Sequence, residues 1–66
     1  MKVILNGQEK ILDSAATLAY LVQELGLDGK RIAIEVNREI VPRSQHGAFQ
    51  LKDQDSIEVV NAIGGG

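Results

Sequence analysis

Apolar positions along the 66-residue chain change their period from one stretch to the next. Val3-Ile4-Leu5 and Ile11-Leu12 are short β-prone runs separated by Asn6-Gly7, a dipeptide suited to the positive φ angles of a two-residue hairpin turn. Leu18, Leu21, Val22 and Leu25 then follow the i, i+3, i+4, i+7 spacing of one helical face, which predicts an amphipathic helix of about nine residues. Thr17 precedes it as a capping hydroxyl, Ser14 offers a second hydroxyl at the same end, and Gly26 is placed to end it left-handed with Leu27 folded back.

From Arg31 the period becomes two. Ile32, Ile34 and Val36 alternate with Ala33, Glu35 and Asn37, as in a strand with one buried face. Glu39-Ile40-Val41 resumes after a turn at Asn37-Arg38, and Pro42 limits it to a brief or edge strand. Residues 43–52 show no period and read as a loop pinned by Phe49 and Leu51. Asp53-Gln54-Asp55 is a turn leading into the last strand, Ile57-Glu58-Val59-Val60.

Two hairpin-like halves around one helix predict an α+β domain, a mixed sheet of four to five strands with the helix across one face. Parallel pairing of the first and last strands at the sheet centre needs a crossover, which the helix supplies. That is the β-grasp, or ubiquitin-like, arrangement.

Composition narrows the chemistry. Hydrophobic residues make up 44% of the chain but only Tyr20 and Phe49 are aromatic, so the core is expected to be Ile, Leu and Val. The absence of cysteine removes disulfides, thiolate ligands and a cysteine nucleophile. A net charge of −2 argues against nucleic acid or an anionic membrane as partner and leaves room for a basic protein. The apolar run at the start is too short for a secretory signal and no stretch approaches a membrane span, so a cytoplasmic location is expected.

The segment from Val36-Asn37 to Pro42-Arg43, the acidic turn, the final strand and the ending Ile63-Gly64-Gly65-Gly66 together resemble the ThiS family of thiamin-biosynthesis sulfur carriers. The likeness runs the length of the chain. It departs at Gln54, where the turn usually carries Gly, at Arg38, where a small residue is common, and at His46, where a larger aromatic is frequent. The resemblance implies a ubiquitin-like domain over residues 1–63 and a reactive glycine tail over 64–66.

It further implies that the protein is a substrate. A ThiF-like adenylyltransferase would use MgATP to adenylate the carboxylate of Gly66, a persulfide donor would supply sulfur to make a thiocarboxylate, and thiazole synthase, ThiG, would receive it. MgATP would belong to the partner, with no cofactor bound by this chain. The tail suits that chemistry: a free α-carboxyl is an anion at neutral pH, three extended residues reach about 10 Å, and Gly64, Gly65 and Gly66 lack the Cβ that would obstruct a narrow channel.

If Val3 and Leu5 face the helix with Ile57 and Val59, then Ile4 and Val60 point to the open face, and Ala62 follows Val60 there. With Ile63 beside the glycines they form a candidate partner-binding patch, and Glu35 and Glu58 are expected as an acidic rim that steers a basic partner. Asp53 and Asp55 are too few for a magnesium shell and read as turn residues. His46 reads as a loop residue, and Arg38 and Arg43 as solvated charges.

No side chain is assigned a catalytic role, so the chain is expected not to be an enzyme. The competing readings are a sulfur carrier for molybdopterin or tRNA thiolation, a ubiquitin-like modifier joined to lysines, and a binding module with an inert tail.

Overall fold

The structure, a computed structural model, describes residues 1–61. In chain order it contains β1 (Lys2–Leu5), β2 (Gln8–Ile11), α1 (Leu18–Glu24), β3 (Ile32–Val36), β4 (Glu39–Ile40), a 3₁₀ helix (Arg43–Ala48) and β5 (Ser56–Asn61). The strands form one sheet in the order β2-β1-β5-β3-β4. β5 is therefore central, parallel to β1 and antiparallel to β3. This is the β-grasp arrangement.

Both hairpins are closed by two-residue turns with positive φ at each central position, 49° and 83° at Asn6-Gly7 and 53° and 72° at Asn37-Arg38. Such turns match the right-handed twist of the strands they join, which is why they set the β1–β2 and β3–β4 registers. The helix starts where the Thr17 hydroxyl accepts the Tyr20 N–H at 3.2 Å and ends at Gly26, φ 72°. There Leu27 N–H bonds Val22 O and Gly26 N–H bonds Gln23 O, both at 3.0 Å, so these two carbonyls are satisfied and Leu27 folds back onto the core.

Val3, Leu18, Leu21, Ile34, Leu51 and Ile57 are the largest fully buried side chains. Val3 and Ile57 come from the two parallel strands, Ile34 from β3, and Leu18 and Leu21 from the helix lying over them. The aliphatic core expected from composition is the one formed, and burying each such side chain stabilises the fold by roughly 1.5–3 kcal/mol.

Four local expectations are corrected. The helix has seven residues, because Leu25 already belongs to its cap. The second strand extends back to Gln8 and stops before Leu12, and its polar positions gave no apolar period to detect. Residues 43–48, read as loop, form the 3₁₀ helix, whose single tight turns need no repeating apolar face. Phe49 and Leu51 do pin the segment after it. Ser14 makes no cap; the Asp13 carboxylate closes that turn by accepting the Ala15 N–H at 2.9 Å.

The turn before β5 also secures β1. Asp53 Oδ1 accepts the Lys2 N–H at 2.8 Å and Lys2 O accepts the Gln54 N–H. The hydrogen bond from Lys2, with a smaller one from Gln54, holds the Asp53 carboxyl below the usual carboxylate range. A depressed folded-state pKa adds stability above the unfolded-state value, and that stability disappears as pH falls through the folded-state value. The midpoint of thermal unfolding of the wild type should therefore fall more steeply than that of Asp53→Asn below about pH 4, as measured by circular dichroism across pH 2–5. Parallel curves would remove Asp53 from the acid response. A second expectation concerns Arg38, which occupies a left-handed position that glycine fills at the matching place in the first hairpin, Gly7. Arg38→Gly should stabilise by about 0.5–1 kcal/mol after the entropic cost of glycine, raising the melting temperature by a few degrees.

Candidate functional site

Register decides which side chains share the face of the sheet away from the helix. Leu5 lies opposite Ile57, and Ile34 and Val36 opposite Val59 and Ile57, so these five turn toward the helix. Ile4 lies opposite Ser56, Ala33 opposite Val60, Glu35 opposite Glu58, and Ile40 opposite Glu35. These occupy the open face, as expected for Ile4 and Val60. Val60 is 58% exposed and Ile40 61%, while Ile4 and Ala33 are half-buried.

Glu35 and Glu58 do not form a rim. They face each other directly across β3 and β5 in the middle of the open face, and Glu58 stands between the levels of Ile4 and Val60. The register, invisible in the sequence alone, causes this correction: a one-residue slip would have moved either carboxylate to the other face. Like charges directly opposite in a sheet destabilise it. Ile40 and Ala33 are additional open-face apolar groups that the sequence reading did not single out. The alternation of β3 could have flagged Ala33, whereas Ile40 depends on the β3–β4 pairing.

The two turn asparagines meet β5 from opposite sides. Asn37 Oδ1 accepts the Ser56 N–H at 3.0 Å, and its Nδ2 donates to Asp55 Oδ1 at 3.0 Å. Asn6 Oδ1 accepts the Val59 N–H at 2.9 Å, and its Nδ2 donates to Val59 O at 3.4 Å. Positive φ at Asn6-Gly7 and a turn at Asn37-Arg38 were legible in the sequence; the reach of the amides to β5 was not, since it joins residues 53 apart for Asn6 and Val59.

The other candidates fall elsewhere. Asp55 is buried and accepts the Lys52 N–H at 2.8 Å through its second oxygen, a structural use of a turn carboxylate. His46 is a correction: it is buried at 7% exposure, with Nε2 hydrogen-bonded to Val41 O at 3.0 Å, because the 3₁₀ helix turns it inward. Arg43 is exposed, and its guanidinium donates to the Lys30 carbonyl. Arg38 is exposed at the hairpin tip. Among the described residues no three His, Cys, Asp or Glu side chains are grouped to hold a metal, and no helix is long and apolar enough to cross a membrane. Ala62, Ile63, Gly64, Gly65 and Gly66 lie outside the described residues.

This geometry has known counterparts. The sequence profile of the ThiS family matches residues 3–66. The chain is 33% identical over 63 residues to the sulfur carrier protein ThiS of Bacillus subtilis, covering 94% of this chain and 96% of that protein. It is 41% identical over 66 residues to a thiazole synthase of Paramagnetospirillum magneticum, covering all of this chain and 20% of that protein; the chain thus spans about a fifth of the length of that relative. The crystal structure of the thiamine biosynthesis protein ThiS from Geobacter metallireducens superposes with a TM-score of 0.85 at 26% identity, over the whole of both chains. With the sheet order, the central last strand and a profile match reaching Gly66, the chain belongs to the ThiS family.

Proposed function

We propose that this protein is a sulfur carrier of thiamin biosynthesis whose reactive group is the carboxylate of Gly66. The observation that carries the reading is the family match running through the central strand β5 to residue 66. The Gly66 carboxylate attacks the α-phosphorus of ATP on a ThiF-like adenylyltransferase, pyrophosphate leaves, and an acyl-adenylate forms. The terminal sulfur of a persulfide then displaces AMP, and a thiol supplies the two electrons that free the thiocarboxylate. Magnesium and ATP sit on the partner, and the fold contributes reach, access and a docking surface rather than an acid or base.

A thiazole synthase is the proposed acceptor. The relative from Paramagnetospirillum magneticum bears that name and contains a stretch matching this whole chain, which supports a carrier and an acceptor working in proximity. The open face docks the partner enzymes: Ile4, Ala33, Ile40 and Val60 supply apolar contact, and the facing pair Glu35 and Glu58 selects a basic partner surface. Ala62 and Ile63 are proposed to extend that contact toward the tail, with 1–63 the folded domain and 64–66 the reactive tail.

Incubating the protein with MgATP, an adenylyltransferase and a persulfide donor should add the mass difference of one sulfur for one oxygen, located on Gly66 by fragmentation. Transfer of that sulfur to an acceptor other than thiazole synthase would reassign the pathway, and high-mass conjugates stable to reducing denaturation would make the chain a modifier instead. Gly65→Ala should leave thermal unfolding nearly unchanged while the thiocarboxylate yield falls. The acidic pair separates stability from docking: Glu35→Gln with Glu58→Gln should stabilise the fold by a few tenths to about 1 kcal/mol, yet weaken binding to the adenylyltransferase most at low salt. Equal affinities at every ionic strength would take the pair out of the interface.

A further inference from the structure

β5 outruns its parallel neighbour. The β1–β5 register contains only Ile4–Ser56 and Leu5–Ile57, whereas on its other side β5 stays paired with β3 from Val36–Ile57 to Ile32–Asn61. Beyond Ile57, among the described residues, the edge of β5 that faces β1 has no strand beside it, because β1 ends at Leu5 and the chain turns at Asn6-Gly7. The last main-chain bond of that ladder is Asn6 N–H to Ile57 O, at 2.8 Å.

Main-chain groups along one edge of a strand recur at every second residue, so the next pair on this edge belongs to Val59. Asn6 meets both of its groups, taking the N–H at 2.9 Å and donating to the carbonyl at 3.4 Å. A carboxamide has the donor and acceptor of a peptide unit, and here it occupies the place where β1 would have supplied its next one. We infer that Asn6 is a positioning residue for charging, its side chain prolonging the parallel ladder by one step and steadying the end of β5, from which the sequence continues to Gly66. This inference rests on the carrier reading above.

The residue type follows from two demands made at one position. The turn needs φ 49° there, which asparagine tolerates better than most residues, and the ladder needs one donor and one acceptor on a short stem. Aspartate meets the turn and accepts from Val59 N–H, but has no donor for Val59 O. Glycine meets the turn and leaves both groups to water. Without the clamp, β5 past Ile57 keeps only its β3 side, and strand ends held on one side open locally at low free-energy cost. A tail leaving a loosened strand samples many directions, and the entropy of selecting one is then lost on docking.

Asn37 provides a matched control, since it makes the corresponding bond to Ser56, at the opposite end of β5 from Asn61. The experiment compares wild type, Asn6→Gly, Asn6→Asp and Asn37→Gly, all ending at Gly66. It measures amide hydrogen exchange at Val59 and the steady-state kinetics of adenylation by the partner enzyme. In Asn6→Gly, protection of the Val59 amide should fall by about tenfold relative to helix amides. KM for the carrier should rise several-fold at unchanged kcat. Asn6→Asp should lie between Asn6→Gly and wild type, and Asn37→Gly should lower the melting temperature without moving KM. A wild-type KM for Asn6→Gly despite lost Val59 protection overturns the positioning role, as does a KM that tracks melting temperature equally in the Asn6 and Asn37 variants. A wild-type chain that is not charged at all overturns the carrier reading itself, and that control distinguishes the two failures.

Discussion

Parallel pairing of the first and last strands is the constraint from which the rest of the architecture follows. Two parallel neighbours cannot be joined by a tight turn, so the chain must leave the sheet and return, and α1 lies on that path. Laying the helix over one face buries Val3 and Ile57 on adjacent strands with Leu18 and Leu21 above them. The other face is left to solvent. The same pairing makes β5 the middle strand, flanked by β1 and β3 up to Ile57 and by β3 alone from there to Asn61.

Short strands make that support incomplete, and side chains complete it. β1 pairs with β5 over two register positions, and polar groups extend the contact at both ends. Asp53 and the Gln54 main chain bond to Lys2 at the start of β1, and Asn6 bonds to Val59 past its finish. Asn37 does the same for the β3 side at Ser56. Main-chain groups that a longer strand would have paired are thereby satisfied. The domain can stay small while its last strand extends four residues past Ile57, where its pairing with β1 ends.

The open face shows the opposite balance. Glu35 and Glu58 face each other with Ala33, Ile40 and Val60 around them, an arrangement that costs stability in the isolated fold. In the proposed docking, a basic partner surface would offset that repulsion, and repulsion of acidic surfaces would add selectivity.

Features carried by local physics were legible in the amino-acid sequence. The helical stripe, the Thr17 cap, the Gly26 terminator, the positive-φ turn at Asn6-Gly7, the turn at Asn37-Arg38 and the alternation of β3 depend on residues within a few positions of one another. The aliphatic core and the β-grasp order followed from them. Where a segment lacked an apolar period, the reading failed: the polar strand β2, the 3₁₀ helix and the inward turn of His46. Only the tertiary structure decided that Glu35 and Glu58 are cross-strand neighbours rather than a rim, that Ile40 joins the open face, and that Asn6 reaches Val59. Each of these depends on strand register and on the point where one strand outlasts its neighbour, and both are set by packing between residues far apart in the chain.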